Sequence, residues 1–384
     1  MKVCMLTSAH SPVDVRIFHK EAKSLRKEGY DVTIIAPATP SVKTNVTIDG
    51  IKILVIPRYK TKFLRPLTLL QLVTKGIKEN ADVYHCHEPD ALIAGIALKL
   101  LKRRKLIYDV HEYWSDFFSE KFPNSIRSLT SFCFEAAERI LCIFADHILA
   151  ASEEIAEDYR IHSKQATLIA NFPTMEFFEA GEKEGLADKY AGKTIFVYVG
   201  GMAQNRGILE SIKALELMGG KADAYLLLVG PFKNAGYEKH VRTYVEEKDL
   251  QKKVGFIGSV QYDDVPAYLQ ISKAGLLLLQ PTERYVKTPY PIKLFEYMGC
   301  ELPVVVSNFP HIRSIVEDAN CGILVDPTKP EEIAKAMKWV IDNPAAAESM
   351  GKNGRKAVEE KYNWQKMEKR LLEVYGSLLI KRGV

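Results

Sequence analysis

The chain has 384 residues with 53 basic and 48 acidic side chains, a formal charge of +5 that is too weak over this length to argue for nucleic acid. Hydrophobic residues at 47%, charged at 26% and aromatic at 10% exclude a disordered or fibrous chain and leave a globular one, at this length of two domains. The longest stretch free of Asp, Glu, Lys and Arg is 194–205, well short of the ~20 residues that cross a bilayer.

In chain order, Lys2–Thr7 reads as a strand; its apolar run Val3–Leu6 is too short for a signal peptide, so a cytoplasmic chain is expected. Val15–Glu28 places Phe18, Ala22 and Leu25 on one helical stripe, with Gly29 as the stop. Strands follow at Asp31–Ala36, Lys52–Pro57 and Asp82–His87, then a helix at Ala91–Leu101 and a strand at Leu106–Val110. A helix at Ser131–Phe144 and a strand at His147–Ala150 complete this half. The pattern loosens at Asn171–Pro173 and in the Gly- and charge-rich Glu179–Gly192. It restarts with strands at Thr194–Val199, Ala224–Val229, Val254–Ile257, Gly275–Leu279, Pro303–Val306 and Gly322–Val325, each beside a helical segment. The last helix, Trp364–Ile380, carries Met367, Leu371, Leu372 and Tyr375 at apolar spacing and must dock on a core. Apolar strands alternating with helices dictate parallel sheets covered on both faces. The reading is α/β: two doubly wound halves joined near 172–190. Ligands bind such sheets at the carboxyl ends of the strands, so two sheets facing each other would share one site.

Two helix starts in the second half carry a cation. Arg206 precedes the helix Gly207–Met218, and Lys293 lies in the first turn of the helix that Pro291 opens within 288–299. A cation there costs a few tenths to about 1 kcal/mol, and the cost reverses when an anion binds between it and the free N–H groups. An ion pair from Lys293 to Glu296 is worth only ~0.2–0.5 kcal/mol, against roughly 1.5–3 kcal/mol for a charge-assisted hydrogen bond to phosphate. The phosphate contact is the stronger of the two and favours a diphosphate between two helix ends, with Glu296 left to accept a vicinal diol such as a ribose; the alternative is that both cations point into water. No G-x-G-x-x-G and no G-x-x-x-x-G-K-[ST] occurs, which disfavours a dinucleotide or P-loop protein. No Asp-x-Asp occurs either, so fixed cations and helix ends are expected to carry the phosphate charge. His85 and His87 share a strand face, but no third metal ligand is evident, and the six cysteines contain no C-x-x-C. No metal and no cofactor are expected.

The stretches YVGGMAQNRGILESIKAL (198–215), LLLVG (226–230), VGFIGSVQYDDVPAYLQISKAGLLLLQP (254–281), TPYPIKLFEYMGCELPVVVSNFPHIRSIV (288–316) and CGILVDPTKPEEIAKAM (321–337) stand in a specific order. With HSPVDVRIFHKEAKSLRKEGYDVTIIAP (10–37) and DVYHCHEPDALIAG (82–95), the chain resembles the retaining nucleotide-sugar glycosyltransferases of family 4. The resemblance implies a GT-B fold, two Rossmann-like doubly wound domains facing across a cleft. The acceptor-side domain would be 1–172 completed by 364–384, and the donor domain 173–363. It implies that Glu296 holds the ribose, that Lys293, behind Pro291 and Ile292, faces the diphosphate, and that Arg206 takes the place of the family's phosphate-binding lysine. Thr288 stands where the first glutamate of a pair is usual. Gly201, after Gly200, stands where an arginine is usual, so one of two cations is missing and Lys293 compensates. His111, in IYDVHE (107–112), matches the histidine that contacts the donor sugar, its alternative being a structural strand-end histidine. In the first loop His10, Asp14 and Arg16 replace a Gly-Gly approach to the phosphates, although Asp14 and Arg16 could pair at the helix start. His87, Glu88 and Asp90 are read as an acceptor-side rim, with His10, Asp14, Arg16 and Glu112 as further acceptor-side candidates.

The implied reaction is metal-free transfer with retention, catalysed by His111, Arg206 and Lys293, from a UDP- or GDP-sugar to a glycan or lipid-linked acceptor in envelope polysaccharide synthesis. A nucleotide-sugar epimerase on the same fold and a catalytically silent nucleotide-sugar binder are the alternatives. Residues 50–105 hold twelve Lys or Arg against four Asp or Glu, and Arg58, Lys60, Lys62 and Arg65 interleave with Phe63, Leu64, Leu67, Leu69 and Leu70. At ~1 kcal/mol per cation, the segment 58–72 is expected to make weak contact with an anionic membrane at its inner face, or else to be a solvated basic helix.

Overall fold

The structure is a computed structural model and describes residues 1–59, 65–119, 122–162, 165–179, 181, 183–219, 223–282 and 290–380. The chain divides into two units, Met1–Asn171 together with the segment from Trp364, and Phe172–Asn363.

The first unit holds β1 (Lys2–Leu6), β2 (Asp31–Pro37), β3 (Val46–Ile48), β4 (Ile51–Ile56), β5 (Val83–Cys86), β6 (Lys105–Val110), β7 (His147–Ala150) and β8 (Ala166–Leu168). They form one sheet in the order β3-β4-β2-β1-β5-β6-β7-β8, parallel except where β3 runs against β4. Val3 of β1 stands opposite Val32 on one side and Val83 on the other. The chain therefore winds outward both ways from β1, and the carboxyl ends of β1, β5 and β6 meet at the switch point. Helices α1 (Arg65–Glu79), α2 (Pro89–Lys102) and α3 (Asn124–Cys142) belong to this unit. The short strands β3 and β8 escape the sequence reading, and the helix expected at Ser131–Phe144 begins at Asn124.

The helix expected over Val15–Glu28 is wound differently: Val15–Ala22 is a π-helix, continued by an α-helical turn Lys23–Lys27. In an α-helix, residues five apart point roughly 140° from one another. The wider π turn brings them to one side, and it is how Arg16 and Glu21 both reach the interior, where Lys20 is buried as well.

The second unit holds β9 (Thr194–Val199), β10 (Ala224–Val229), β11 (Val254–Gly258), β12 (Ala274–Leu277), β13 (Val304–Ser307) and β14 (Gly322–Val325). All are parallel, in the order β11-β10-β9-β12-β13-β14, so β9 is the switch strand. Helices α4 (Ile208–Met218) and α5 (Ile292–Gly299) follow β9 and precede β13. Tyr297 of α5 is fully buried; its hydroxyl accepts the Val199 N–H at 2.9 Å, and its ring fills the space a side chain at Gly275 would need. That anchor fixes α5 against the end of β9 and against β12.

The last helix, α6 (Trp364–Ile380), packs within the first unit. The Trp364 indole N–H donates to Ser24 at 2.9 Å, and the Tyr375 hydroxyl lies 2.9 Å from His85 Nδ1. Its apolar stripe is buried through Met367, Leu371 and Tyr375.

Candidate active site

At the carboxyl ends of β9, β10 and β11 the second unit opens a cavity of about 530 Å³, within the ~300–1,000 Å³ of small-molecule sites. Gly200, Arg206, Pro291, Ile292, Lys293 and Glu296 all line it. Arg206 ends a short 3₁₀ turn, Gln204–Arg206, and Gly207 then turns the chain into α4 with φ 68. Lys293 lies in the first turn of α5, whose N-cap, Pro291, offers no side-chain cap. The two cations thus converge on one space beside two helix starts, where free N–H groups and fixed positive charge favour an anion over a cation.

The electrostatics show the strain of this arrangement. Burial, with Arg206 and Lys233 nearby and only Glu296 opposing, pushes the Lys293 ammonium down to about 8. The Lys293 chain crosses Gly200 so closely that a Cβ there would sit 2.2 Å from its Cε, and Gly200 has φ 123, which a side chain would resist. Its ammonium lies 5.3 Å from the Tyr198 ring centroid, a cation–π distance. Glu296 is 6% exposed and is not free, since the Tyr262 hydroxyl donates to its Oε1 at 3.0 Å. Tyr262 lines the cavity, and burial together with Glu296 raises its hydroxyl well above the ordinary range.

Lys233 escapes the sequence reading altogether. It follows β10, its Cε would meet a Cβ at Gly201 at 2.4 Å, and its charge is among those lowering Lys293. A cation therefore does stand over Gly201, supplied by the neighbouring strand's loop. The only signal in the sequence is the Gly230-Pro231-Phe232-Lys233 turn after an apolar strand. Thr288 lies outside the described residues.

In the first unit, His111 follows β6 and is 13% exposed, with Nε2 at 2.8 Å from Asp109 Oδ2 and 3.3 Å from His87 Nδ1. The His10 ring stands 5.0 Å from it, and His10 also faces Asp14 at 3.4 Å and Glu88 at 3.5 Å. Burial alone would lower His10, but Asp14 and Glu88 raise it. Asp14 caps the π-helix by accepting from the Arg16 and Ile17 N–H groups. Glu112 is half-buried in the loop beyond His111.

Three expectations for this unit are corrected. Arg16 is neither exposed toward an acceptor nor paired with Asp14. Its guanidinium is buried, donates twice to Asp109 at 2.7 and 2.8 Å, and donates to the Ile169 carbonyl at 2.6 Å. His87 and Glu88 are not a rim, being 0% and 2% exposed; Glu88 accepts from the Thr7 hydroxyl and the Ser8 N–H, while Asp90 accepts from the Ser8 hydroxyl. Finally, His85 and His87 do have carboxylate neighbours. Glu21, His85, His87 and Asp109 bring four ligand atoms within 4.8 Å of one another, and Nε2 of both histidines lacks a hydrogen-bond partner. That donor set could hold a metal ion, but Arg16 already contacts both carboxylates, at 3.0 Å from Glu21 and 2.7 Å from Asp109.

Burial and the neighbouring Asp109 raise Glu21 well above the ordinary carboxyl range, with Arg16 acting against them. Burial would raise Asp109 too, but Arg16, His111 and His87 hold it well below. Burial, against Asp109, pushes His87 down to about 4, so it is neutral near pH 7.

Residues 15–172 match the family model for Glycosyltransferase Family 4, and residues 182–357 match the one for Glycosyl transferases group 1. An uncharacterized glycosyltransferase of Methanocaldococcus jannaschii is 22% identical over 376 residues, covering 92% of this chain and 91% of its own. The capsular polysaccharide biosynthesis glycosyltransferase CapM of Staphylococcus aureus is 22% identical over 386 residues, 95% of this chain and 94% of its own. Among solved structures, sucrose-phosphate synthase from Thermosynechococcus elongatus superposes with TM-score 0.79 at 19% identity, covering 99% of both chains. Anabaena HepE in complex with UDP-glucose superposes with TM-score 0.75 at 16% identity, covering 98% of this chain and 100% of its own.

Proposed function

The chain carries a glycosyltransferase family 4 domain and a group 1 glycosyl transferase domain on the GT-B fold, and from that premise we propose that this transferase draws its sugar from a nucleoside diphosphate donor bound in the second unit. The observation that carries the reading is the convergence of Arg206 and Lys293 on one cavity beside Glu296 and Tyr262. The diphosphate would lie between the two cations and the starts of α4 and α5, with Lys233 at its outer side. The ribose hydroxyls would donate to Glu296. UDP-glucose is the first donor to test, since HepE was solved with it.

In this proposal the acceptor hydroxyl oxygen bonds to the anomeric carbon as the bond from that carbon to the β-phosphate oxygen breaks. The departing phosphate takes the hydroxyl proton, so the anomeric configuration is retained and no protein nucleophile is needed. Arg206 and Lys293 stabilise the charge that grows on the leaving diphosphate. His111, oriented by Asp109, is the group that meets the transferred sugar. A glycan or lipid-linked acceptor in envelope polysaccharide synthesis belongs to the same proposal, as does weak contact of 58–72 with an anionic membrane. Within that segment 60–64 lie outside the described residues, and Leu67 and Leu70 of α1 are exposed.

Transfer or donor hydrolysis measured over UDP-, GDP- and ADP-sugars tests the reading, with Arg206→Ala and Lys293→Ala compared at saturating donor. Each lowers kcat by roughly two orders of magnitude or more, the loss of one preorganised charge stabiliser, while the fold persists. Near-wild-type turnover in either variant removes that residue from the mechanism, and an epimer appearing in place of a transfer product refutes the reaction class.

A further inference from the structure

The ring of Tyr262 is held from behind. Tyr262 opens the 3₁₀ turn Tyr262–Asp264 that follows β11, and the Phe177 ring lies 4.7 Å from its own, tilted by only 31°. Phe177 is buried and belongs to the short helix Met175–Phe178. The next residue of that helix, Phe178, fills the space a side chain at Gly299 would need, and Gly299 is the last residue of α5. One short segment therefore braces both the tyrosine and the helix that carries Glu296, and all three belong to the same unit.

The brace gives the phenol a fixed aim. Its hydroxyl donates to Glu296 Oε1 at 3.0 Å, and both residues line the cavity. Glu296 needs such a holder. Its carboxylate is buried, so water does little to fix it, and Lys293, three residues before it on α5, carries the opposite charge close by. A carboxylate drawn onto that ammonium would take the cation from a diphosphate and turn its own oxygens from a ribose. A donor at Oε1 on a braced ring opposes that swing. Recognition of two neighbouring sugar hydroxyls depends on a carboxylate already in place to accept from them.

We propose that Tyr262 is a positioning residue for the donor: its hydroxyl sets the Glu296 carboxylate to accept from the ribose diol, so that the site prefers ribonucleoside to 2′-deoxyribonucleoside diphosphates. This deepens the donor reading and rests on it. The tyrosine acts through Glu296, and by its hydroxyl rather than by the face of its ring.

The test is calorimetric titration of the full chain with UDP, GDP and ADP, and with the 2′-deoxy counterpart of whichever binds. Wild type should prefer the ribonucleotide by at least ~10-fold, the effect of one hydrogen bond to a buried carboxylate. Tyr262→Phe keeps the ring against Phe177 and removes the hydroxyl. Ribonucleotide affinity should then fall ~10-fold while the deoxynucleotide stays within ~3-fold of wild type, and the preference nearly vanishes. With Glu296→Gln already in place, Tyr262→Phe should add less than ~2-fold, because the two residues act as one unit. Phe177→Leu slackens the brace and leaves both polar groups; it should narrow the preference by at least ~3-fold, which keeps the test open should Tyr262→Phe misfold. Equal losses for both nucleotides in Tyr262→Phe, an unchanged preference in Tyr262→Phe or Phe177→Leu, or additive effects of Tyr262→Phe and Glu296→Gln overturn the inference and leave the donor reading standing. So does a wild type that does not tell the two sugars apart. A wild type that binds none of the three diphosphates overturns the donor reading, and the inference with it.

Discussion

Lys293→Met separates the cost of the cavity from its use. The Lys293 ammonium is lowered from 10.5 to about 8, and at ~1.4 kcal/mol per pH unit holding its charge in the ligand-free protein costs roughly 3 kcal/mol. Because the folded value lies below the unfolded one, the folded state binds fewer protons between pH 8 and 10.5. The penalty is therefore full below pH 8 and fades as pH rises through that window. Methionine keeps the side chain out to the position of Cε and removes the charged end. In thermal melts near pH 7 the variant should be more stable by up to roughly 3 kcal/mol, several degrees for a unit of this size, with the gain shrinking above pH 8. Its affinity for UDP should fall ~10–100-fold, the worth of a charge-assisted hydrogen bond. The wild type carries a matching signature. Between pH 7 and 9 its protonated fraction falls from roughly 0.9 to 0.1, so UDP binding by calorimetry should weaken about tenfold, while the variant stays flat. A variant no more stable than wild type, together with a wild-type affinity that ignores pH over this range, would refute the idea that the cavity holds Lys293 under strain for an anion.

Gly200→Ala acts on the same lysine from the backbone side. A Cβ 2.2 Å from Lys293 Cε, on a residue at φ 123, must displace the ammonium, so UDP affinity should fall at least ~10-fold with a lower melting temperature; unaltered UDP titrations would count against the close approach. Glu138, in the first unit, is pushed up to about 7 by burial, with the Tyr108 and Tyr159 hydroxyls acting against that shift. Its folded value lies above the unfolded 4.5, so the folded state holds the extra proton between pH 4.5 and about 7, and the stability it contributes when protonated drains across that window and is gone above it. Glu138→Gln should flatten the fall in stability between about pH 5 and 7 in urea melts, and a slope equal to wild type would show that Glu138 does not carry it.

Much of the second unit's chemistry is legible in the sequence because it breaks a local rule. A cation in the first turn of a helix is unfavourable by itself, and it is visible from spacing alone, which is why Arg206 and Lys293 stand out before any coordinates. The alternation of strands and helices is legible for a similar reason: a β-branched run of period two and a stripe of period 3.6 cannot both describe one segment. What spacing cannot show is which segments become neighbours. Lys233 reaches Gly201 only because β10 lies beside β9, and the buried Arg16–Asp109 pair joins residues 93 positions apart. The π winding of Val15–Ala22 is hidden because Phe18, Ala22 and Leu25 satisfy an α-helical stripe equally well, while the residues that need the wider turn, Arg16, Lys20 and Glu21, look like surface charges.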